Sequence, residues 1–419
     1  MHKSVFDYSI NALNLVLDEG INFSVAIKNI SFTKKLSLKD RNDVSAITGS
    51  ALRHYYVFES FLNKKYPNLD NELLRLSMLY LANVLFAKRL ENEPIVKLLK
   101  EEFSKKEVTF DEEFFLKVEP SQLIADDLDK NSFEYLSLRN NVPQWLIKMW
   151  CKQYGERIGK LLVKSLHKPE EFYCNVNECV INKENFLSKY NDFVDSGFTN
   201  NVKYTGKGSV KSTEAYKAND IFLFKCAEQV LFEKLEFDPL FGIAILGEEH
   251  SNIHLAIAAK ESHLVKMDIV APDNGAYYKY NNDLKKYDLQ HVSLIKTSAS
   301  LELSLSQPVK TLILQPKNSH YSSLQSNCDY FLKCDPELLD GYIENQKKQL
   351  DDASKLVIDG GQLVYLVHTV NKKETHFVVS DFLKNHPEYS LSFEKQFIPI
   401  DKYQSCLYFA ILKKEVVND

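Results

Sequence analysis

The stretch GGQLVYLVHTVNKKET, from Gly360 to Thr375, decides how the C-terminal half of the chain is read. A glycine pair suits the left-handed end of a helix. The unbroken apolar run Leu363 to Val367 that follows reads as a short strand covered on both faces. A residue placed directly after such a strand stands at the C-terminal rim of an α/β sheet, where ligands bind. Here that residue is His368.

Around this stretch, residues 219–419 alternate between strand and helix patterns. Strands are expected at 221–224, 242–246, 263–270, 291–297, 310–315 and 362–369, with a closing pair FEKQFIPI and CLYFAILKK. Short apolar strands separated by helices predict a doubly wound, Rossmann-like α/β domain over 218–419. Before it, FYCNVN, a helix over 183–193 and VKYTG read as a small α+β module. A connecting helix with the apolar stripe Trp145, Leu146, Met149, Trp150 and Tyr154 precedes that module, and the two together span 136–217. Residues 1–135 read as an all-α bundle, with apolar faces at Val5, Ile10, Leu13, Val16 and Leu17, at Val44, Ile47, Ala51 and Leu52, and at Leu73, Leu76, Tyr80 and Val84. The acidic stretch 105–131 lacks periodicity and reads as a peripheral connection.

Composition narrows the function. No apolar run approaches the ~18–20 residues that cross a bilayer, and the N-terminus lacks the pattern of a signal peptide, so no membrane and a cytoplasmic address are expected. The seven cysteines include no C-x-x-C pair and no histidine set beside them, which predicts buried thiols and no metal site. A net charge of −5 excludes bulk polycation behaviour, so any RNA contact must be local. Lys203, Lys207, Lys211 and Lys217, interleaved with Tyr204 and Tyr216, form the first candidate, with a solvated loop as the competing reading. Only 13 glycines occur in 419 residues, which argues against a glycine-rich cofactor turn.

Several motifs point the same way. LKDRNDVSAITGSALRHY carries Asp40, Arg41, Gly49, Leu52 and Arg53 in a D-R…G-x-L-R helix, and Val142 to Gly155 spell V-P-x-W-L-x-x-x-W-x-x-x-Y-G. Pro169 with Asn175-Val176-Asn177 forms a P-x…N-V-N turn, followed later by GGQLVYLVHT and CLYFAILKK. In these motifs the chain resembles the Sun-type (RsmB) S-adenosylmethionine-dependent methyltransferases, which methylate carbon 5 of an rRNA cytosine, and the similarity covers nearly the whole length. The resemblance implies a NusB-like RNA-binding domain at 1–135, a methyltransferase-fold domain at 218–419, S-adenosylmethionine as cofactor, and small-subunit rRNA or a ribosome precursor as partner of a monomer. Arg53, Lys203, Lys207 and Lys211 become the expected RNA contacts.

The chemistry-bearing positions depart from that family. Carbon-5 transfer needs a thiolate that adds to the ring, yet the family's T-C-[ST] aligns with Val367-His368-Thr369. Its second cysteine, in D-A-P-C, aligns with Lys317 or Asn318 and its aspartate with Leu314 or Gln315, while Cys328 lies further along as an outside candidate. The family's cofactor turn aligns with ILGEEHSNIH, where Gly247 remains and Glu248 and Glu249 would repel a carboxylate. The Q-D pair before the sheet reads Phe224-Lys225. Asp268 is expected to end the second strand and hold the ribose hydroxyls, and the adenine-facing acid reads Ser298. The resulting expectation is an RNA-binding protein of this architecture with eroded or lost methyl transfer and no catalytic residue. An active enzyme with relocated residues, such as Cys328, and a NusB-like interaction module are the alternatives.

Overall fold

A computed structural model describes residues 2–166, 171–238, 240–247, 251–260, 266–289, 292–296, 305, 309–321, 327–400 and 405–416. The chain forms two compact units, Met1–Lys168 with Ser323–Cys334, and Pro169–Ser322 with Asp335–Asp419.

The first unit is helical. Its central helix, Asn71–Ala82, starts at Asp70, whose side chain accepts from Leu73 N, and buries residues on all sides from Leu73 to Ala82. A helix buried all round sits at the middle of a bundle. Around it pack His2–Leu17, Phe23–Thr33, Leu38–Arg53, Tyr55–Lys65 and Asn92–Lys105. The acidic connection is less peripheral than its composition suggests: Phe115 is fully buried, and its carbonyl accepts from the Tyr80 hydroxyl at 3.3 Å. The helices Phe133–Asn140, Gln144–Tyr154 and Glu156–Ser165 also belong to this compact unit. Asn141, at φ 49°, accepts from Tyr56 N (3.1 Å) and donates to Leu52 O (2.8 Å), which fastens them to the bundle.

The described part of 323–334 belongs to this unit as well. Asp329 accepts from Phe23 N at 3.0 Å and pairs with Lys333 at 2.6 Å, while Lys333 also donates to Ile21 O. Cys328 and Leu332 pack against the helical core.

In the second unit, β1 (Tyr173–Val176), β2 (Phe193–Asp195), β3 (Asn201–Tyr204) and β4 (Ile221–Leu223) form a small antiparallel sheet in the order β2-β3-β1-β4. The run at 221–224, expected in the α/β domain, pairs with β1 instead, Cys174 opposite Leu223. Asp220 directs it there: its carboxylate holds Lys189 and Tyr190, and its carbonyl accepts from Asn177 N.

The large sheet contains β5 (Gly242–Gly247), β6 (Met267–Ala271), β7 (Val292–Lys296), β8 (Val309–Gln315), β9 (Val357–Val367), β10 (Tyr389–Phe397) and β11 (Leu407–Lys414). Their order is β10-β11-β9-β8-β5-β6-β7, parallel except for β11. One face, with Ile243, Ile245, Ile313 and Val364, packs with residues of the helices Cys226–Phe232, Ile253–Lys260 and Asn274–Lys286. The other, with Leu246, Leu312, Leu363 and Tyr365, packs with residues of Leu338–Ser354 and His376–Asn385. The doubly wound expectation therefore holds, with the order reversing between β5 and β8, where such sheets place their ligand crevice.

The glycine pair does not end a helix. Helix Leu338–Ser354 stops earlier, and Gly360 and Gly361 lie inside β9, where the β8–β9 register slips between Val309/Val357 and Thr311/Gln362. Gly360 has φ +71°, and a Cβ on Gly361 would stand 2.7 Å from Lys310 O. This bulge sets the register that carries the strand to His368. Gly361→Ala is expected to lower the unfolding free energy by about 1–3 kcal/mol. Gly341→Ala, at a helical site with open space around it, serves as the contrasting control in the same urea titration and should raise stability by about 0.5–1 kcal/mol.

Candidate functional site

The residues at the ends of β5, β8 and β9 define the site. Gln315 closes β8, is fully buried, and accepts from Ser251 N at 3.1 Å, so it lies across the turn that opens helix Ile253–Lys260. Its Nε2 has no partner among the described residues, and a buried donor left unmet costs about 1–3 kcal/mol. Of the two residues aligned with a second cysteine, Lys317 turns outward, its ammonium 5.9 Å from the Tyr342 ring centre, and Asn318 turns inward to accept from His320 N.

His368 follows β9 and is 13% exposed at its side chain. Its Nε2 lies 3.4 Å from Glu228 Oε1. The other oxygen of Glu228 accepts from Lys225 N at 2.9 Å at the start of helix Cys226–Phe232, so a buried carboxylate fixed at a helix N-terminus holds the imidazole.

Beneath them lies Glu374, fully buried. It accepts from Ser319 N (2.8 Å), the Ser319 hydroxyl (2.5 Å), Asn371 Nδ2 (2.9 Å) and Gln346 Nε2 (3.2 Å). The Ser319 oxygen also meets the Thr369 hydroxyl at 2.8 Å, and Tyr365 donates to the Glu374 carbonyl. Burial pushes the Glu374 carboxyl above its ordinary value, and the surrounding donors pull against that shift. This network ties the segment after β8 to the segment after β9. Sequence reasoning missed it, although the family's E-E-N position, here within KKET, was the available signal.

Asp268 is not where the sequence placed it. It is the second residue of β6, buried, opposite Ala244 and Ser293, and the strand runs on to Ala271. Three further residues at ~3.3 Å each put it roughly 10 Å short of the rim. The acid nearest the end of β6 is Asp273, which caps helix Asn274–Lys286 by accepting from Ala276 N at 2.7 Å. Its signal was an acid just before a helical pattern. Gly247 is the last residue of β5 and is buried, while Glu248, Glu249 and Ser298 lie outside the described residues.

The outside candidate Cys328 belongs to the helical unit, where burial pushes its thiol up to about 11. Cys226 and Cys174 are buried thiols pushed up to about 12. Cys406 was overlooked: β11 pairs Tyr408 with Val367, and continuing that register sets Cys406 beside Thr369, buried at 3% exposure.

The expected RNA contacts are dispersed. Lys203 is bound to Glu171 at 2.6 Å, Tyr204 is buried with its hydroxyl on Lys207 O, and the Tyr216 ring is covered by the Lys286 ammonium at 3.5 Å. Lys207 and Lys211 stand in solvent, as does Arg53 at the end of helix Leu38–Arg53 of the other unit. Among the described residues no His, Cys, Asp and Glu group has the arrangement of a metal site, and no helix is long and apolar enough to cross a membrane.

No protein-family model and no curated protein matches the chain. Solved structures do. A protein designated PH0851 superposes with a TM-score of 0.74 at 16% identity, covering 99% of both chains. NSun6 from Pyrococcus horikoshii, solved with SFG, gives 0.60 at 12% identity over 67% of this chain and 100% of its own. A methyltransferase homolog protein from Pyrococcus horikoshii gives 0.57 at 14%, over 67% and 98%. The chain has their fold.

The Glu374 network yields two expected outcomes. Glu374→Ala strands its donors and should cost about 3 kcal/mol or more in chemical denaturation. Because the folded-state pKa is raised, the group's stabilising contribution is complete below its unfolded value and is lost as pH rises through the folded value. Wild type should therefore lose stability relative to Glu374→Gln as pH is raised from about 4 to 8.

Proposed function

We propose that this chain is an RsmB-like, rRNA-binding relative of the cytosine-C5 methyltransferases that has lost methyl transfer. The observation that carries this reading is the end of β9: the position of the required thiolate holds His368, clamped by Glu228. An imidazole is a poor nucleophile toward a pyrimidine ring, which a thiolate must attack.

The residues present do not fit S-adenosylmethionine either. A cofactor of this kind relies on backbone donors in the turn after the first strand and on an acid at the end of the second. Here the Ser251 N–H is taken by Gln315, β6 ends in Ala271, and Asp273 spends one oxygen on a helix cap. We assign residues 1–135 as the core of a NusB-like RNA-binding domain, with small-subunit rRNA or a ribosome precursor as partner and a monomer as the working state. The end-to-end likeness to PH0851, and the likeness of two thirds of the chain to NSun6, support the architecture.

The second reading, an active enzyme, is favoured by Cys406 alone, the thiol whose register brings it beside Thr369. Titration calorimetry with S-adenosylmethionine and methyl incorporation into small-subunit rRNA test both. No saturable heat and no incorporation are expected. Incorporation that Cys406→Ser abolishes would replace the first reading with the second.

A further inference from the structure

A cleft of about 720 Å³ opens on the helical unit, lined by Lys28, Ser31, Phe32, Thr33, Lys35 and Arg41. We propose that it binds single-stranded RNA, with phosphates on Lys28, Lys35 and Arg41 and a base stacked on Phe32. The proposal rests on the RNA-binding reading above and moves the contact away from Lys203, Lys207 and Lys211.

Charge is the first support. Between Lys28 and Arg41 the chain carries five cations and one acid, within a protein of net charge −5. That acid, Asp40, accepts from the Ser37 hydroxyl at 2.8 Å. None of Lys28, Lys35 and Arg41 takes part in an ion pair among the described residues. Arg41 stands near the start of helix Leu38–Arg53, where a positive charge opposes the helix dipole, so the fold gains nothing from it there.

The second support is Phe32, which is 89% exposed with no ring or ammonium stacked on it among the described residues. Burying a phenyl side chain would contribute about 1.5–3 kcal/mol, yet this one is held out among cations. An exposed ring beside unpaired cations is the arrangement that takes an unstacked base and its phosphates. A duplex offers no free base face.

The third is Lys35, at φ 50°. The turn is closed by Lys35 N to Phe32 O and Leu36 N to Ser31 O. Glycine or asparagine suits this left-handed position after a helix, so lysine holds it at a conformational cost. That cost separates folding from binding: Lys35→Gly relieves the backbone while removing a charge.

The test is fluorescence anisotropy of the full chain with a labelled oligouridylate of about 12 nucleotides, a length within the range such sites cover. Lys28→Glu with Arg41→Glu should weaken binding at least about tenfold. Phe32→Ala should weaken it about tenfold without altering the salt slope. Lys35→Gly should reduce that slope by about 0.7 while its thermal midpoint stays at or above wild type. Wild-type affinity in all of these variants, or equal affinity for duplex RNA, overturns this site alone. No binding by the wild type overturns the RNA-binding reading with it.

Discussion

A carboxylate taken wholly out of water is tolerated only where donors surround it, and Glu374 gathers them from three separate places in the chain. Ser319 comes from the segment after β8, Asn371 from the segment after β9, and Gln346 from helix Leu338–Ser354. The rim of the large sheet can therefore adopt few arrangements without leaving a charge or its donors unmet. That constraint places Thr369, bonded to Ser319, and with it the neighbouring His368, where Glu228 meets the imidazole.

The sheet and its rim have separate physical origins. β5, β8 and β9 stay central because both faces are covered by apolar side chains, an interaction indifferent to what stands at the strand ends. Reactivity at the rim needs particular atoms in particular positions. Exchanging one polar side chain for another at the strand ends leaves apolar burial untouched, so the fold by itself does not specify the chemistry at the rim.

The same separation governs what was legible in the sequence. Continuous apolar runs announced β5, β8 and β9 because burial on both faces leaves no alternation to misread. The run at 221–224 looked identical, yet it pairs with β1, because the deciding group is Asp220, whose partners Lys189 and Tyr190 lie some thirty residues away. The family resemblance places Asp268 at the rim, as the acid that ends the second strand. The strand instead extends to Ala271, and only the pairing with β5 and β7 reveals it. Glu374 lay in a quoted motif, but its burial depends on residues that sequence spacing does not bring together. Phe32 and Lys35 gave no periodic signal, since an exposed ring and a strained lysine serve no core.

Cys328 shows how far tertiary context overrides proximity along the chain. It lies 13 residues after Gln315, the last residue of β8, and is an outside candidate for the rim by that proximity alone. Its immediate neighbours decide otherwise. Leu332 joins Cys328 against the helical core, Phe331 offers its carbonyl to the Tyr56 hydroxyl, and Asp329 and Lys333 satisfy backbone groups at Phe23 and Ile21. Withdrawing Cys328 from the helical core would break those bonds and expose that apolar surface together. The burial that holds the segment also raises the thiol's pKa, so the contacts that fix Cys328 in the helical unit suppress the thiolate that a nucleophilic role would require.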